Sequence, residues 1–297
     1  MTGWAALVAR CTFPPAGTDV ICAVSGGADS LALLVLASAA GCRATAVHVD
    51  HGLRPGSATE AHVVAVAADR LGARFRAERV GVTPGPNLEA RARAARYAVL
   101  PADVLTGHTA DDQAETVLLN LVRGAGLDGL AGMRGDDASR SGGRSGPRHP
   151  ILDLRRAETE AVCAAEGLTP VRDPTNADPV HRRNRVRAEL LPLLAHIAER
   201  DVTPLLARQA ALLRDEADAL DDMAAALDPT DAASLAAAPP ALARRAVRRW
   251  LVDGQDHPPD AATVERVLAV ARNEARATDV GAGRRVLRTR NVLRLER

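Results

Sequence analysis

Between residues 19 and 152, short apolar segments alternate with amphipathic ones, and this alternation constrains the fold more than any other feature of the sequence. The apolar segments predict four strands, at Val20–Val24, Ala44–Val49, Phe75–Val80 and Val104–Thr106. The segments after them carry apolar residues three and four positions apart and predict four helices, at Ser30–Ala40, Ala58–Leu71, Leu88–Leu100 and Ala110–Val122. Strands that alternate with helices form a parallel sheet flanked by helices, so the pattern predicts an α/β fold.

The remainder of the chain predicts mainly helical structure. Helices are expected at about 155–167, 181–191, 204–227, 240–252 and 261–273, with an interruption at Pro192 and a terminal hairpin near Val286–Leu295. The residues DPTD at 228–231 are typical of a turn and predict a domain boundary. We therefore expect a catalytic domain at 1–200, a linker helix at 201–227 and a small, mainly helical C-terminal domain at 228–297.

Composition excludes several classes of nucleotide-using enzyme. All 38 basic residues are arginine, whereas a Walker A loop, a protein kinase, a pyridoxal Schiff base and a lysyl-adenylate ligase each require a lysine. The formal charge of +1 means that any nucleic-acid surface must come from local clusters of arginine.

The cysteines and the apolar runs indicate the compartment. The 4 cysteines form no CxxC pair, which argues against structural zinc. The longest apolar run, Leu31–Ala40, is shorter than the roughly 20 residues that cross a bilayer. We expect no membrane association, a cytoplasmic location and reduced thiols.

The junction between the first predicted strand and the next helix carries the first candidate site. Its residues are Ser25, Gly26, Gly27, Ala28, Asp29 and Ser30. Glycines permit a tight turn that presents backbone N–H groups, and a helix N-terminus attracts anions, so the segment suits a pyrophosphate. Asp29 then becomes a Mg²⁺ ligand. The alternative is a turn whose serine or aspartate only caps the helix.

Two further strand ends carry polar residues. The second strand ends in HVDHGLR at 48–54, where Asp50 is placed to hydrogen-bond a ribose or adenine. The alternatives there are a solvated strand end and, for His48, a packed core histidine. In TGHTADDQAET at 106–116, the residues His108, Asp111, Asp112 and Glu115 converge at a helix N-terminus, which suits an amine and Mg²⁺. Capping and the helix dipole are the alternative explanation.

Arginine-rich helices supply the remaining candidates. In NLEARARAARY at 87–97, Arg93 and Arg96 share a helix face with Glu89, and Tyr97 lies one turn after Arg93. The segment DPTN at 173–176 precedes RRNRVR at 182–187. By themselves, such charges are equally typical of solvated helix faces.

Together these segments resemble the tRNA(Ile)-lysidine synthetases, a family of PP-loop, or N-type, ATP pyrophosphatases. The loop SGGADS matches the SGGxDS of the larger class, which also includes tRNA thiolases and GMP synthetase. Other segments resemble the lysidine synthetases in particular. They are HVDHGLR, EARARAARY, TGHTADDQAET, LVRGAGLDGLAGM at 121–133 and the segment from DPTN to LLP. The resemblance therefore covers about residues 18–195. Many members have a second histidine where this chain has Thr109, so only His108 carries a histidine role.

The resemblance implies a Rossmann-like PP-loop fold, ATP as substrate and Mg²⁺. ATP would adenylate the C2 oxygen of the wobble cytidine of an isoleucine tRNA with the anticodon CAU, and free lysine would then replace AMP. Residues 25–30 would hold phosphate, Arg96 first and Arg93 second would contact the nucleotide, and His108, Asp111 and Asp112 would serve lysine, metal or both. The choice between Asp111 and Asp112 for lysine stays open, with Asp112 the stronger candidate for recognising the amine. The arginines of 182–187 would hold tRNA phosphates. Clustering in the sequence predicts the same role for two groups of arginines in the C-terminal domain, Arg244, Arg245, Arg248 and Arg249 on one helix and Arg284, Arg285, Arg288, Arg290 and Arg294 near the terminal hairpin. A homodimer is compatible with the sequence, which does not fix the oligomeric state.

Three other functions stay open at this point. A PP-loop tRNA thiolase requires cysteines for sulfur transfer, and the missing CxxC argues against it. A GMP synthetase would bring a glutaminase and a dimerisation region, and neither is visible. A non-catalytic adenine-nucleotide sensor or RNA-binding module on the same sheet is the alternative of a different class.

Overall fold

Four parallel strands form the centre of the N-terminal part of the chain in the computed structural model. They are β1 (Asp19–Ala23), β2 (Arg43–Asp50), β3 (Arg74–Arg79) and β4 (Leu105–Thr106), in the order β3-β2-β1-β4. Leu105 also makes a parallel bridge with Arg148, so the segment around Arg148 lies beside β4. The sheet confirms the predicted α/β fold, and every predicted strand is present to within one residue at each end.

The structure describes residues 3–50, 52, 57–81, 85, 88–135, 146–171, 178–252 and 259–297, with the backbone only at 57–59 and 88–90. Contacts within the chain define two units, Met1–Ala211 and Leu212–Arg297. None of the helices in these ranges is long and apolar enough to cross a membrane.

Helices surround the sheet of the first unit. They are α1 (Ala5–Val8), α2 (Ala28–Ala39), α3 (Ser57–Arg70), α4 (Leu88–Ala98), α5 (Ala110–Val122), α6 (Leu127–Leu130), α7 (Arg156–Ala165), α8 (Arg182–Arg185), α9 (Leu191–Ala198) and α10 (Thr203–Ala225), the last of which crosses the boundary between the units. The core centres on α2, whose Leu31, Leu33, Leu34 and Leu36 are fully buried. Burial of each such leucine stabilises the folded chain by about 1.5–3 kcal/mol. The packing of α2 therefore also fixes the position of the loop that precedes it.

The helix around Pro192 shows that one prediction was wrong. Helical backbone runs from α8 through a π-helical segment, Val186–Leu190, directly into α9, whose second residue is Pro192. Proline removes one N–H and its ring clashes with the carbonyl group four residues earlier in a regular α-helix. The wider π turn before Pro192 accommodates the proline, so the helix continues instead of ending there.

In its described residues, 212–252 and 259–297, the second unit contains the end of α10, three short helices and an antiparallel sheet. The helices are α11 (Ala232–Ala237), α12 (Pro240–Val252) and α13 (Ala261–Ala271), and the strands are β5 (Ala277–Gly281), β6 (Arg284–Thr289) and β7 (Val292–Glu296), in the order β5-β6-β7. The hairpin predicted at Val286–Leu295 is confirmed as β6 and β7, whereas β5 was not predicted. The core of the second unit includes Leu235, Val247, Leu268, Val286 and Leu293.

Candidate active site

The loop between β1 and α2 is a tight turn that leads directly into the N-terminus of α2. Gly26 has φ +92°, a conformation that strains other residues, and Gly27 is the N-cap of α2. The Ser30 hydroxyl donates to the Gly27 carbonyl oxygen at 2.9 Å and accepts from the Ser25 backbone N–H at 3.2 Å. The side chain of Ser30 therefore braces the loop from inside, while the backbone of Gly26 and Gly27 forms its outer turn.

Gly107, at the end of β4, lies directly against this loop. A Cβ atom on Gly107 would stand 2.7 Å from the Asp29 carbonyl oxygen and 2.9 Å from the Ser30 nitrogen, closer than side chains approach backbone. Glycine is required here for the close approach. The two strand ends predicted to carry the site are therefore neighbours in the structure, as expected at the carboxyl edge of a parallel sheet.

Asp29 points toward α7. One of its oxygens accepts a short hydrogen bond from the Thr159 hydroxyl, and the other lies 3.4 Å from the Arg156 Nε. Burial raises the pKa of Asp29 above its ordinary value, although Thr159 and Arg156 partly oppose the rise. The charge of Asp29 is thus incompletely balanced by the groups around it.

Asp112 and Glu115, on α5, form the centre of an ion-pair network. The Asp112 Oδ2 accepts from the Thr109 backbone N–H at 2.9 Å, which caps the helix, and its Oδ1 contacts Arg156 at 3.2 Å and Arg183 at 3.1 Å. Burial raises the pKa of Asp112, but His108, Arg183 and Arg156 together outweigh burial and hold the pKa below its ordinary value. Capping and ion pairing thus both occur at this carboxylate.

Glu115 is enclosed by three guanidinium groups. Its side chain is 0% exposed, and its oxygens lie 2.6 Å from the Arg183 Nε, 2.6 Å from the Arg187 Nε and 3.5 Å from the Arg156 Nη1. The expectation that the arginines of 182–187 hold tRNA phosphates needs correction for Arg183 and Arg187, because both form ion pairs with Glu115. Arg185 instead pairs with Glu189 on the exposed side of the same helix.

Asp111 lies on the other side of the network. It accepts hydrogen bonds from the Arg155 Nε at 3.0 Å and from the Arg156 backbone N–H at 2.8 Å. The Arg155 guanidinium also forms an ion pair with Asp201 at 2.5 Å. Burial raises the pKa of Asp111, but the hydrogen bonds from Arg155 and Arg156 hold it below its ordinary value.

A cavity of about 220 Å³ opens beside this network. Its lining combines charged and apolar side chains; the lining residues are Asp111, Glu115, Arg156, Arg187, Leu191, Pro192, Ala195, Asp201 and Thr203. A lining of this mixed character suits a small ligand that has an aliphatic chain and charged ends.

His108 lies at the start of the segment that leads into α5. Its Nδ1 is 2.9 Å from the Thr106 hydroxyl oxygen and 3.1 Å from the Nδ1 of His149. Burial lowers the pKa of His108 to about 4, and nearby Arg183, Arg93 and Arg96 lower it further while Asp112 opposes them. The imidazole is therefore neutral at pH 7.

Asp50 and the arginines of α4 occupy the remaining strand end and helix. Asp50 ends β2 and accepts from the Gly52 backbone N–H at 2.8 Å. Arg93 stacks on Tyr97 with 5.0 Å between the guanidinium carbon and the ring centroid. Burial lowers the pKa of Arg96. The roles expected of Asp50, Arg93 and Arg96 in nucleotide binding stay predictions.

Some sequence expectations fall outside the described residues, and some site residues were missed. The segment DPTN at 173–176, His51 and the side chain of Glu89 lie outside the description. His48 is a buried core residue whose Nδ1 is 3.0 Å from the Val24 carbonyl oxygen, as the alternative explanation predicted. Arg155, Arg156, Thr159 and His149 were not predicted, because no local pattern marks them.

Comparisons with known proteins show the family of the chain. The family model of the PP-loop domain matches residues 6–194. The chain is 45% identical over 253 residues to a tRNA(Ile)-lysidine synthase of Nocardia farcinica (strain IFM 10152), covering 81% of this chain and 77% of the relative. It is 44% identical over 280 residues to a tRNA(Ile)-lysidine synthase of Thermobifida fusca (strain YX), covering 87% and 84%.

A solved structure has a similar fold. It is the U34-tRNA thiolase NcsA from Methanococcus maripaludis with its 4Fe-4S cluster, which matches with a TM-score of 0.54 and 16% identity over 67% of this chain and 73% of that chain. At this identity the match supports the PP-loop fold alone.

Proposed function

The chain belongs to the tRNA(Ile)-lysidine synthase family, and from that premise we propose that it joins lysine to C2 of the wobble cytidine in an isoleucine tRNA with the anticodon CAU. The C2 oxygen attacks the α-phosphate of ATP and pyrophosphate leaves. The ε-amine of lysine then attacks C2, loses its proton, and AMP leaves with the former C2 oxygen. The single observation that carries this proposal is the network through Arg156, which joins a phosphate-type loop to a cavity suited to lysine.

ATP phosphates are placed at the loop of residues 25–30, where backbone N–H groups and the α2 N-terminus attract anions. Asp29 would hold Mg²⁺, which stabilises negative charge on the transferred phosphates when it is bound. One reason for choosing Asp29 is that burial raises its pKa, whereas hydrogen bonds from Arg155 and Arg156 lower the pKa of Asp111, and His108, Arg183 and Arg156 lower that of Asp112. Mg²⁺ commonly takes one or two protein carboxylates together with phosphate oxygens, which fits a single ligand.

Lysine is placed in the cavity beside Asp111 and Glu115. Within the described ranges, the ion pairs join five carboxylates, Asp29, Asp111, Asp112, Glu115 and Asp201, to four guanidinium groups, Arg155, Arg156, Arg183 and Arg187. Leu191, Pro192 and Ala195 offer an apolar surface for the lysine methylene groups. Asp111 lines this cavity, so it is the better candidate than Asp112 for contact with lysine.

Asp111→Asn is expected to raise the KM for lysine with little effect on the formation of adenylated tRNA. The amide keeps the shape of the side chain but loses the charge, and a hydrogen bond to a charged group contributes about 1.5–3 kcal/mol, or roughly a 10- to 150-fold change in KM. Steady-state turnover over a range of lysine concentrations measures it. Asp153→Asn is the matched control, because Asp153 is an exposed aspartate outside the cavity. An unchanged KM in the Asp111 variant would place lysine elsewhere.

The overall proposal is tested by following ATP, tRNA and lysine together in one reaction. We expect AMP and pyrophosphate to form only with the CAU-anticodon tRNA, and mass spectrometry of the digested tRNA to show a cytidine that has gained lysine and lost water. Release of ADP, or AMP formation without tRNA, would contradict the proposal. Turnover that requires glutamine or a sulfur donor instead of lysine would favour the rival PP-loop enzymes.

The cysteines of the structure support lysidine formation over sulfur transfer. All 4 are free thiols, and burial raises the pKa of Cys22 to about 12 and of Cys163 to about 11. Sulfur chemistry requires an accessible thiolate, which such burial disfavours. Among the described residues, no three His, Cys, Asp or Glu side chains are grouped to hold a metal ion or cluster.

The second unit is proposed to bind tRNA, and the structure changes which arginines are available for that task. Arg284 is buried and donates to the Leu251 carbonyl oxygen, Arg288 donates to the Ala271 carbonyl oxygen, and Arg244 pairs with Glu265. Three of the predicted residues remain exposed on or beside the terminal strands; they are Arg285, Arg290 and Arg294. We propose the cytoplasm, where tRNA, ATP and free lysine occur together, as the site of the reaction.

Replacing Arg285, Arg290 and Arg294 together with glutamine is expected to weaken tRNA binding and to flatten its salt dependence. Each lost phosphate contact removes roughly one unit, or slightly less, from the slope of log affinity against log salt. Binding of labelled tRNA at several salt concentrations measures both effects. Arg244→Gln is the control, since its guanidinium already has a carboxylate partner. Equal slopes for the triple variant and the wild type would exclude this surface.

A further inference from the structure

A hydroxyl group and two imidazole rings form a closed triangle at the edge of the candidate site. The Thr106 Oγ1 lies 2.9 Å from the His108 Nδ1 and 2.5 Å from the His149 Nδ1, and the two Nδ1 atoms are 3.1 Å apart. The rings meet edge to face with their centroids 4.6 Å apart. His149 is 8% exposed and reaches this position because the segment around Arg148 lies beside β4.

The short distance between the two Nδ1 atoms restricts where the protons are. Two lone pairs, or two N–H groups, would repel each other at 3.1 Å, so one Nδ1 donates and the other accepts. The ring that donates from Nδ1 has a lone pair at Nε2, whereas the ring that accepts carries its proton at Nε2. The Thr106 hydroxyl fits either arrangement, because it both donates and accepts and also has the Arg148 carbonyl oxygen at 3.2 Å.

Both rings are neutral at pH 7, and the assignment of the Nε2 atoms depends on this neutrality. Burial lowers the pKa of His149 to about 3 and that of His108 to about 4. Arg93 lowers both values, Arg96 and Arg183 lower that of His108, and Asp112 is the carboxylate that opposes them.

We propose that His149 is a positioning residue that fixes the tautomer and the orientation of His108, with Thr106 holding both Nδ1 atoms. The hydrogen bond at one ring nitrogen decides what the other nitrogen offers, so His149 determines whether His108 presents a donor or an acceptor at Nε2. That His108 takes part in the reaction rests on the proposed function. The inference that the two rings hold opposite tautomers does not depend on that function.

The tautomers are measured directly by nitrogen-15 NMR of the side chains in the full-length, histidine-labelled protein at pH 7. Signals of His108 and His149 are assigned by their loss in His108→Phe and His149→Phe. We expect one ring protonated at Nδ1 and the other at Nε2, with neither ring charged. The same tautomer in both rings, or a charged ring in either, would overturn the proposal without any activity measurement.

The rate of lysidine formation in His149 variants distinguishes a positioning role of His149 from a role in packing alone. His149→Phe removes the hydrogen bond, and we expect it to change the His108 signal and to reduce lysidine formation by at least about tenfold, as small misplacements near reacting groups do. His149→Asn places an amide near the former Nδ1 and should restore most of the loss. His62→Phe, an exposed residue on α3, is the control. An unchanged His108 signal in both His149 variants would overturn the positioning role, whereas absent wild-type lysidine formation would overturn only the proposed function.

Discussion

Asp29→Asn is expected to abolish pyrophosphate release while the fold survives. Because burial raises the pKa of Asp29, the ionised carboxylate is less stable in the folded chain than in the unfolded one, and stability falls as pH rises through its ordinary pKa. Asparagine carries no charge, so it removes this loss of stability, and its side-chain oxygen can still accept the hydrogen bond from the Thr159 hydroxyl. It cannot supply charge to a cation on the phosphates, so we expect the rate to fall by at least about 100-fold.

The measurement is pyrophosphate release in the presence of ATP, Mg²⁺, tRNA and lysine, with the melting temperature recorded for the same sample. Asp19→Asn is the matched control: Asp19 begins the strand that leads to the loop, but it is exposed and pairs with Arg43. The control should release pyrophosphate at the wild-type rate. Near-normal release by a folded Asp29 variant would exclude the proposed metal ligand.

Residues close to a strand end were predictable because a parallel sheet brings its carboxyl edges together. Asp29 and His108 follow β1 and β4, which are neighbours, and the contact of Gly107 with the loop shows how closely the two strand ends approach. Alternation of apolar and amphipathic segments also predicted α5 at its observed bounds, Ala110–Val122. These features depend on residues near one another in sequence, which local patterns describe.

Partners that are distant in sequence were not predictable. Arg156 and Thr159 lie 127 and 130 residues after Asp29, and in a chain with 38 arginines Arg156 has no distinguishing sequence signal. The roles of Arg183 and Arg187 were misassigned for a related reason. A run of arginines predicts a surface for phosphates, and only tertiary structure shows that Glu115 faces two of them.

Glu115→Gln is expected to lower the stability of the first unit more than any other single charge-neutralising change at the site. The side chain is 0% exposed and has three guanidinium partners. Removing one member of a buried ion pair costs about 3–5 kcal/mol. We take the lower end, about 3 kcal/mol, because Arg183 and Arg187 are each 34% exposed and partly solvated. For a domain of this size that corresponds to roughly 6–12 °C in melting temperature.

Glu189→Gln separates the effect of burial from the effect of losing a glutamate–arginine pair. Glu189 pairs with Arg185 one helical turn away at 2.9 Å, and the two side chains are 54% and 60% exposed. Fully exposed pairs contribute little to stability because water and salt screen them, so this control should melt within about 2 °C of the wild type. Calorimetry of both variants at one pH and salt concentration makes the comparison. Equal melting temperatures for the two variants would mean that Glu115 does not stabilise the arginines around the cavity.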